Sequence, residues 1–375
     1  MEIRGEKKEV AARFQIIIGI ASRSRLPSGI LPHRSRSASG IYQAGSTGRE
    51  VLIGGVGPIE YPCVMGTDRN DLTIHTVSIE QVESVLQLAF QSLPSEQQEE
   101  QLRAAADDLR SGAASLDAFL EARRGTRRVG AVYGQVQPGR SAVLWLPGLV
   151  RGETVQTADR LLAAALDRVS RSRVRIAQVA LEQVGPSDDA LLRAHGFTFL
   201  ADLLYLVSLE VEFPHRRPSS PLEFFPYCER EHDRFARLVE TTYQNTRDCP
   251  GLDGIRSIED VLAGYRGSPS FNPSHWLTVR CHGRDVGCLL LTDYPKQGNM
   301  ELVYMGLVVA VRGSGWGSEI VRHAQWAARR AGRPRLVLAV DSANEPALQV
   351  YTACGFQAWD RRTVYLKVFS DPTAG

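Results

Sequence analysis

A glycine-rich turn between an apolar strand and a helix constrains the fold of this chain more than any other segment. An apolar run ends near Val309, the loop Arg312–Gly317 (Arg-Gly-Ser-Gly-Trp-Gly) follows, and a helix is predicted directly after it. Glycine reaches positive φ at little cost and lets a ligand approach the backbone closely. The N–H groups and the dipole at a helix start can hold an anion such as a pyrophosphate. A ligand-free turn can carry the same glycines, so the loop alone leaves both interpretations open.

Length and composition limit the class of protein. A chain of 375 residues is long for one core and predicts two domains. The net charge of +2 is small for this length and gives no reason to expect a nucleic-acid partner. The six cysteines form no C-x-x-C pair, which favours a reducing compartment and predicts neither disulfides nor a metal site. No apolar run reaches the roughly 18 residues of a membrane span, so we expect no membrane partner and a cytoplasmic location.

Residues 1–68 differ from the rest of the chain. Ser, Arg, Gly and Pro dominate this segment, and no acidic residue occurs between Ala11 and Arg49. Such a segment buries too little apolar surface to offset its ordering entropy, which predicts a disordered extension. A basic, transit-like presequence is an alternative interpretation. A third is that Met65 is the true start and the preceding residues are mis-annotated.

The predicted elements occur twice in the same order. Each half follows β-α-α-β-β-β-α-β-α-β, which predicts an α/β fold with a mixed sheet flanked by helices in two tandem domains. We place the domains at residues 69–211 and 222–370. The linker at residues 212–221 contains three prolines, which disfavour helix and central strand.

A second motif follows the glycine-rich loop by about 30 residues. A short apolar strand leads into Asn344, and the spacing Asn-x-x-Ala-x-x-x-Tyr-x-x-x-Gly-Phe runs from there to Phe356. Ala347 and Tyr351 are four residues apart, so they share one face of the predicted helix. The residues themselves also allow simpler roles, with Tyr351 packed in the core and Asn344 as a helix N-cap.

The two motifs together resemble the GNAT acetyltransferase superfamily. Arg312, Gly315 and Gly317 match its acyl-CoA loop, [Gln/Arg]-x-x-Gly-x-[Gly/Ala], although Val309 stands where the family often has proline. The tandem arrangement is similar to that of the mycothiol synthase-like acetyltransferases. The resemblance implies acetyl transfer from acetyl-CoA to a primary amine, without a metal. It implies cofactor-binding roles for Met305, Gly306, Leu307, Arg312, Gly313, Ser314, Gly315, Trp316, Gly317, Ser318 and Asn344.

The resemblance also implies two catalytic residues. Glu301 lies eleven residues before Arg312, where several members have a glutamate that deprotonates the attacking amine. Tyr351 matches a tyrosine that donates a proton to the departing thiolate. An exposed strand-end carboxylate is the simpler interpretation of Glu301. The loop that carries Tyr243, Asn245, Arg247 and Asp248 matches the acceptor region only in location.

The first half lacks the same motifs. No x-Gly-x-Gly follows Arg151, Glu153 would place a negative charge at the anion site, and Leu192 stands at the position of Tyr351. We therefore predict a non-catalytic first half and one active site per chain. The acceptor remains open between a small amine, an aminoglycoside, a peptide N-terminus and lysine, and the protein between monomer and homodimer. A non-catalytic acyl-CoA-binding or scaffold protein is the alternative function.

Overall fold

The computed structural model describes residues 72–91, isolated residues between 99 and 115, residues 117–268 and residues 270–370. Our predictions for residues 1–68 lie outside these ranges. The elements of the first half are β1 Leu72–Thr76, α1 Val82–Ala89, β2 Phe119–Arg124, β3 Arg127–Gln137, β4 Ser141–Leu144, β5 Gly148–Leu149, α2 Val155–Arg171, β6 Ile176–Leu181, α3 Pro186–Ala194 and β7 Thr198–Leu209. Those of the second half are β8 Leu222–Pro226, α4 His232–Tyr243, α5 Ile258–Arg266, β9 Trp276–Cys281, β10 Arg284–Tyr294, β11 Asn299–Leu307, α6 Trp316–Arg330, β12 Arg335–Asp341, α7 Glu345–Ala353 and β13 Gln357–Val368.

One predicted helix ends earlier than its composition suggests. The pattern favours helix from Gln97 to Leu120, but strand β2 begins at Phe119, and its residues Phe119–Ala122 are all buried. The strand pairs on both sides, with β1 and β3, and the paired neighbours override the helical propensity of its Leu, Glu and Ala. The predicted mixed α/β architecture is confirmed.

The strands form one path in the order β1-β2-β3-β4-β6-β13-β7-β12-β11-β10-β9-β8, with β5 beside β3. The last strand of each half is exchanged with the other half. Strand β13 pairs with β6 and β7, and β7 in turn pairs with β12. Tyr365 of β13 lies opposite Val179, and Val207 of β7 lies opposite Val337. Each half therefore completes its sheet with a strand from the other half.

Strands β11 and β12 separate part way along their length. Their parallel pairs run from Asn299 to Glu301, while β11 continues along β10 as far as Leu307. A bulge at Val303 lies between the pairs Leu290–Tyr304 and Leu291–Leu302. Bulges bend a strand and redirect its side chains. The end of β11 consequently leaves β12, and a gap opens at the carboxyl ends of these two parallel strands.

Helices cover both faces of the second half. Helices α6 and α7 contribute to a buried cluster with the alternate β11 side chains of Met300 and Leu302. Helices α4 and α5 pack on the opposite face around Trp276, Tyr265 and Tyr304. Trp276 is 1% exposed, and truncation of such a buried aromatic side chain costs about 3–5 kcal/mol. These two layers fix the walls of the gap between β11 and β12.

Candidate functional site

A cavity of about 470 Å³ lies where β11 and β12 separate. It is lined by the end of α4 and its following loop, the end of β11, the glycine-rich loop and the start of α7. The lining residues are Thr242, Asn245, Thr246, Arg247, Tyr304, Met305, Gly306, Leu307, Arg312, Gly313, Asn344 and Pro346. The structure thus brings six of the predicted cofactor-binding residues to one cavity.

The glycine-rich loop has the backbone that its composition predicts. Gly313 has φ of 81° and Gly315 has φ of 84°, a region that residues with a Cβ rarely adopt. Gly315 is the N-cap of the 15-residue helix α6. The Ser314 hydroxyl donates to the carbonyl of Val311 at 2.6 Å and closes the preceding turn. The start of α6 therefore carries backbone N–H groups and a favourable dipole beside the cavity.

The Arg312 side chain lines the cavity and is bonded to two of its walls. Its guanidinium donates to three carbonyl oxygens, those of Leu307 at 3.0 Å, Asn245 at 3.2 Å and Thr242 at 2.9 Å. These bonds tie the end of β11 to the loop after α4. The observed contacts of Arg312 thus hold two walls of the cavity together.

Position 306 needs a glycine because two side-chain hydroxyl groups lie close to its backbone. A Cβ at this position would lie 2.5 Å from the hydroxyl oxygens of both Thr242 and Tyr304. These two hydroxyls are hydrogen bonded to each other at 2.8 Å. These hydroxyls fill the face of β11 at Gly306, whereas the edge of β11 beyond Glu301 has left β12 and can lie beside an extended ligand.

Asn344 serves as the N-cap of α7 and also lines the cavity. Its side-chain oxygen accepts from the Ala347 N–H at 3.4 Å. Just before it, the Asp341 carboxylate accepts from the N–H groups of Cys249 at 3.0 Å and Ala343 at 2.9 Å. The Asp248 carboxylate in turn accepts a hydrogen bond from the Asp341 N–H at 3.1 Å. The turn before α7 and the loop after α4 are thereby fixed to each other.

Glu301 is buried, so the interpretation of an exposed carboxylate is wrong. It is 2% exposed and lies opposite Thr292 on β10 and Val337 on β12. Burial raises its pKa to about 8, although a hydrogen bond from Tyr294 acts in the opposite direction. Among the described residues, it is not one that lines the cavity. Tyr304, three residues further along the strand, reaches the wall, a separation of roughly 10 Å along the backbone.

Tyr351 lies in the core beside the site. It is 6% exposed, belongs to the cluster under α6, and its ring centroid lies 5.6 Å from that of Phe356. The lining of the cavity does not include it among the described residues. Core packing is therefore what its contacts show, and the acid role remains a prediction.

The start of α2 in the first half is occupied by a side chain of the protein itself. One Glu153 oxygen accepts from the Thr157 hydroxyl at 2.8 Å, the Thr154 N–H at 3.1 Å and Arg124 at 3.0 Å. Burial opposes ionisation, but the bonds from Arg124, Thr154 and Thr157 hold the pKa of Glu153 below its ordinary value. A carboxylate thus takes the place that a bound anion would take.

Sequence reasoning missed four residues of the cavity, namely Thr242, Thr246, Tyr304 and Pro346. Of the acceptor-loop candidates, Asn245 and Arg247 line it, whereas Tyr243 is buried behind it and Asp248 bonds to the backbone of Asp341. Thr242 could have been found from its place at the end of a helix before a polar loop.

Two classes of site find no structural support within the residues that the structure describes. No helix there is both long and apolar enough to cross a bilayer. His, Cys, Asp and Glu side chains do not gather there in a group of three that could hold a metal ion.

Comparison with known proteins identifies the region that contains the cavity. Residues 239–356 match the model of the acetyltransferase (GNAT) family. The mycothiol acetyltransferase of Thermobifida fusca is 33% identical over 107 residues, which are 28% of this chain and 31% of the relative. That of Jonesia denitrificans is 33% identical over 108 residues, covering 28% of this chain and 33% of the relative. These matches therefore span about a third of the length of the relatives.

Solved structures extend the similarity of fold to most of the chain. A GCN5-related N-acetyltransferase from Sphaerobacter thermophilus aligns with a TM-score of 0.56 at 14% identity, covering 80% of this chain and 97% of that one. A GCN5-related glucosamine N-acetyltransferase region of a fungal multi-domain GH3 β-N-acetylglucosaminidase gives a TM-score of 0.51 at 14% identity. It covers 78% of this chain and 38% of that one. At this identity the likeness establishes the fold alone.

Proposed function

We propose that this chain, whose residues 239–356 belong to the GNAT acetyltransferase family, transfers an acetyl group from acetyl-CoA to a primary amine. The observation that carries the proposal is the start of α6, where Gly313 and Gly315 adopt positive φ beside a cavity of about 470 Å³. This backbone suits a diphosphate, and the same cavity is lined by the part of β11 beyond its last pair with β12 at Glu301.

The cavity lining supports a division of binding roles. The backbone from Gly313 to Ser318 binds the diphosphate, since helix starts favour anions. The backbone of Met305, Gly306 and Leu307 lies along the pantetheine arm, with Asn344 on its other side. Arg312 positions these parts through its three carbonyl contacts.

Direct attack of the amine on the thioester needs a base, because a free amine is mostly protonated at neutral pH. The C–N bond forms as the C–S bond breaks, and the amine proton passes to Glu301. Glu301 is buried and about three residues of strand away from the cavity wall, so the proton crosses by way of water. With its pKa raised to about 8, the carboxylate form increases as the pH rises through that value.

Tyr351 is the proposed acid that protonates the departing thiolate. Its support is the match to the family motif and its place on α7, the helix that Asn344 caps. Tyr351→Phe removes only the hydroxyl and keeps the packing against Phe356. Turnover should fall while CoA affinity stays the same, and an unchanged turnover would eliminate the acid role.

The division of labour between the halves is also a proposal. We assign the active site to residues 222–370, a non-catalytic role to residues 69–211, and a linker to residues 212–221. Glu153 at the start of α2 supports a first half that binds no CoA.

An acceptor screen tests the activity. Purified protein and acetyl-CoA are mixed with a polyamine, an aminoglycoside, an amino sugar, a lysine peptide and a peptide with a free N-terminus, and released CoA thiol is measured. We expect turnover with at least one of these classes. Binding of CoA without turnover on any of them would instead favour the non-catalytic acyl-CoA-binding protein.

A further inference from the structure

We propose that the β3–β4 turn of the first half is a positioning element for the amine side of the cavity, acting through Arg256. The inference rests on the proposed acetyl transfer, and it gives the first half a specific task. Three sets of contacts carry it, and they lead from the turn to the cavity wall.

The first contact is a buried hydrogen bond between the halves. Arg256 follows the loop after α4, is 6% exposed, and donates from Nη1 to the carbonyl oxygen of Gly139 at 2.8 Å. Gly139 belongs to the β3–β4 turn and has φ of +78°, so its carbonyl direction depends on a conformation that favours glycine. A charged donor in a buried setting makes a stronger bond than a neutral one.

The second contact is the close fit of the same turn against α5. A Cβ at Gly139 would lie 2.1 Å from the carbonyl oxygen of Asp260 and 2.8 Å from the nitrogen of Gly264. On the other side, Pro138 would be 2.7 Å from a Cβ at Gly267. The turn therefore touches the backbone at both ends of α5, and neither can shift without moving the other.

The third set of contacts is aromatic. Tyr265 lies on α5, directly after Gly264, and its hydroxyl is 3.4 Å from that of Tyr243. The Tyr304 ring lies nearly parallel to that of Tyr265, at 6.1 Å, and edge-on to that of Tyr243, at 5.1 Å. Tyr304 lines the cavity and bonds to Thr242, which lines it too. The β3–β4 turn therefore reaches this wall through α5 and Tyr265, and Arg256 ties the turn to the segment between α4 and α5.

The contacts end on the wall formed by α4 and the loop after it, which matches the acceptor region in location. This wall is the amine side of the cavity. The loop after α4 is also bonded to the cofactor side, through Asp341 and Arg312, but those bonds do not involve Arg256. Gly313 at the start of α6 is held by its own turn. We therefore expect loss of Arg256 to weaken use of the amine while the affinity for CoA stays nearly constant.

The test compares Arg256→Met with Arg256→Lys and with Arg140→Met. Arg140 is the neighbour of Gly139 in the same turn, but its Nε donates within the first half, to the carbonyl of Arg173 at 3.1 Å. KM is measured for the amine of the screen that turns over fastest in the wild type, and Kd for CoA by calorimetry. Hydrogen–deuterium exchange is followed in peptides that cover residues 242–257.

Arg256→Met should raise the KM for the amine about tenfold, the effect of losing one buried charged hydrogen bond. Its Kd for CoA should stay within about twofold, with faster exchange in residues 242–257. Arg256→Lys keeps the charge and one donor, so it should recover most of the loss, and Arg140→Met should behave as wild type. Equal rises in KM and Kd, or unchanged exchange at residues 242–257, would overturn the proposal. If the wild type acetylates no amine, the proposed activity fails, and the exchange data still decide whether Arg256 positions this wall.

Discussion

Helices α2 and α6 begin at corresponding points of the two halves. Both helix starts favour a nearby negative charge, but the groups that surround them differ. At α2 the carboxylate of Glu153 accepts from Thr154 and Thr157 and pairs with Arg124. At α6 the turn is made by glycines with positive φ, and it faces a cavity. A helix start favours negative charge. The first half supplies that charge from its own chain, whereas the second leaves the place open to a ligand.

The strands before these helices differ in the same way. In the parallel pairs, Val143 of β4 lies opposite Gln178 of β6, and Glu301 of β11 lies opposite Val337 of β12. Val143 is the third paired residue of β4 along β6, and Glu301 is the third paired residue of β11 along β12. The first half therefore has an apolar side chain where the second has a buried acid. The two halves therefore keep the same strand and helix order with different side chains at these two positions.

The largest expected effect comes from making the acid of β11 neutral. Glu301→Gln should lower kcat/KM about a hundredfold or more, the usual contribution of a general base. Wild-type kcat/KM should rise with pH through about 8, and the variant should lose that titration. Glu121→Gln is the control, because Glu121 is an equally buried carboxylate of the first half. The base assignment is wrong if the profile of Glu301→Gln keeps the same pKa.

A smaller effect is expected from placing a carboxylate at the start of α6, in the way that Glu153 lies at the start of α2. Ser314→Glu and Ser314→Gln both lose the hydroxyl bond to Val311, so the difference between them isolates the charge. The Glu variant should bind CoA more weakly by about 2 kcal/mol, roughly thirtyfold, because a carboxylate competes with the diphosphate at the helix start. Titration of CoA into both variants measures this. Equal affinities would mean that the start of α6 is not where the diphosphate lies.

The smallest effect is expected at the internal carboxylate. Glu153→Ala should reduce the free energy of unfolding by about 1.5 kcal/mol, because Arg124, Thr154 and Thr157 lose a charged partner. The pKa of Glu153 lies below its ordinary value of 4.5, so its stabilisation is present above that pH and is lost as the pH falls through the folded-state pKa. Urea denaturation at pH 7 and pH 3 should therefore show a smaller difference between wild type and variant at pH 3. A difference that is as large at pH 3 as at pH 7 would contradict the assignment.

Local features of the site could be predicted from the sequence. The glycines before α6, the cap at Asn344 and the charge of Glu153 at the start of α2 depend on residues within a few positions of each other. Features that depend on distant partners could not. The direction of the Arg312 side chain is set by carbonyls of the loop after α4, about 70 residues away, and the burial of Glu301 is set by neighbouring strands.

The exchanged strands are the clearest case of a feature hidden from the sequence. Alternation of apolar residues predicts that Thr198–Leu209 and Gln357–Val368 are strands, but it does not specify which neighbour each one pairs with. Either half could have closed its own sheet with the same pattern. The boundaries at residues 211 and 222 therefore remain a prediction about the sequence, while the sheet itself runs through both halves.

Calorimetric titration of the wild-type chain with CoA tests the central claim most directly. The open start of α6 and the internally occupied start of α2 predict one CoA molecule per chain, bound in the second half. Two molecules per chain would contradict the difference between the halves. No binding at all would contradict the assignment of the cavity beside Gly313 to CoA.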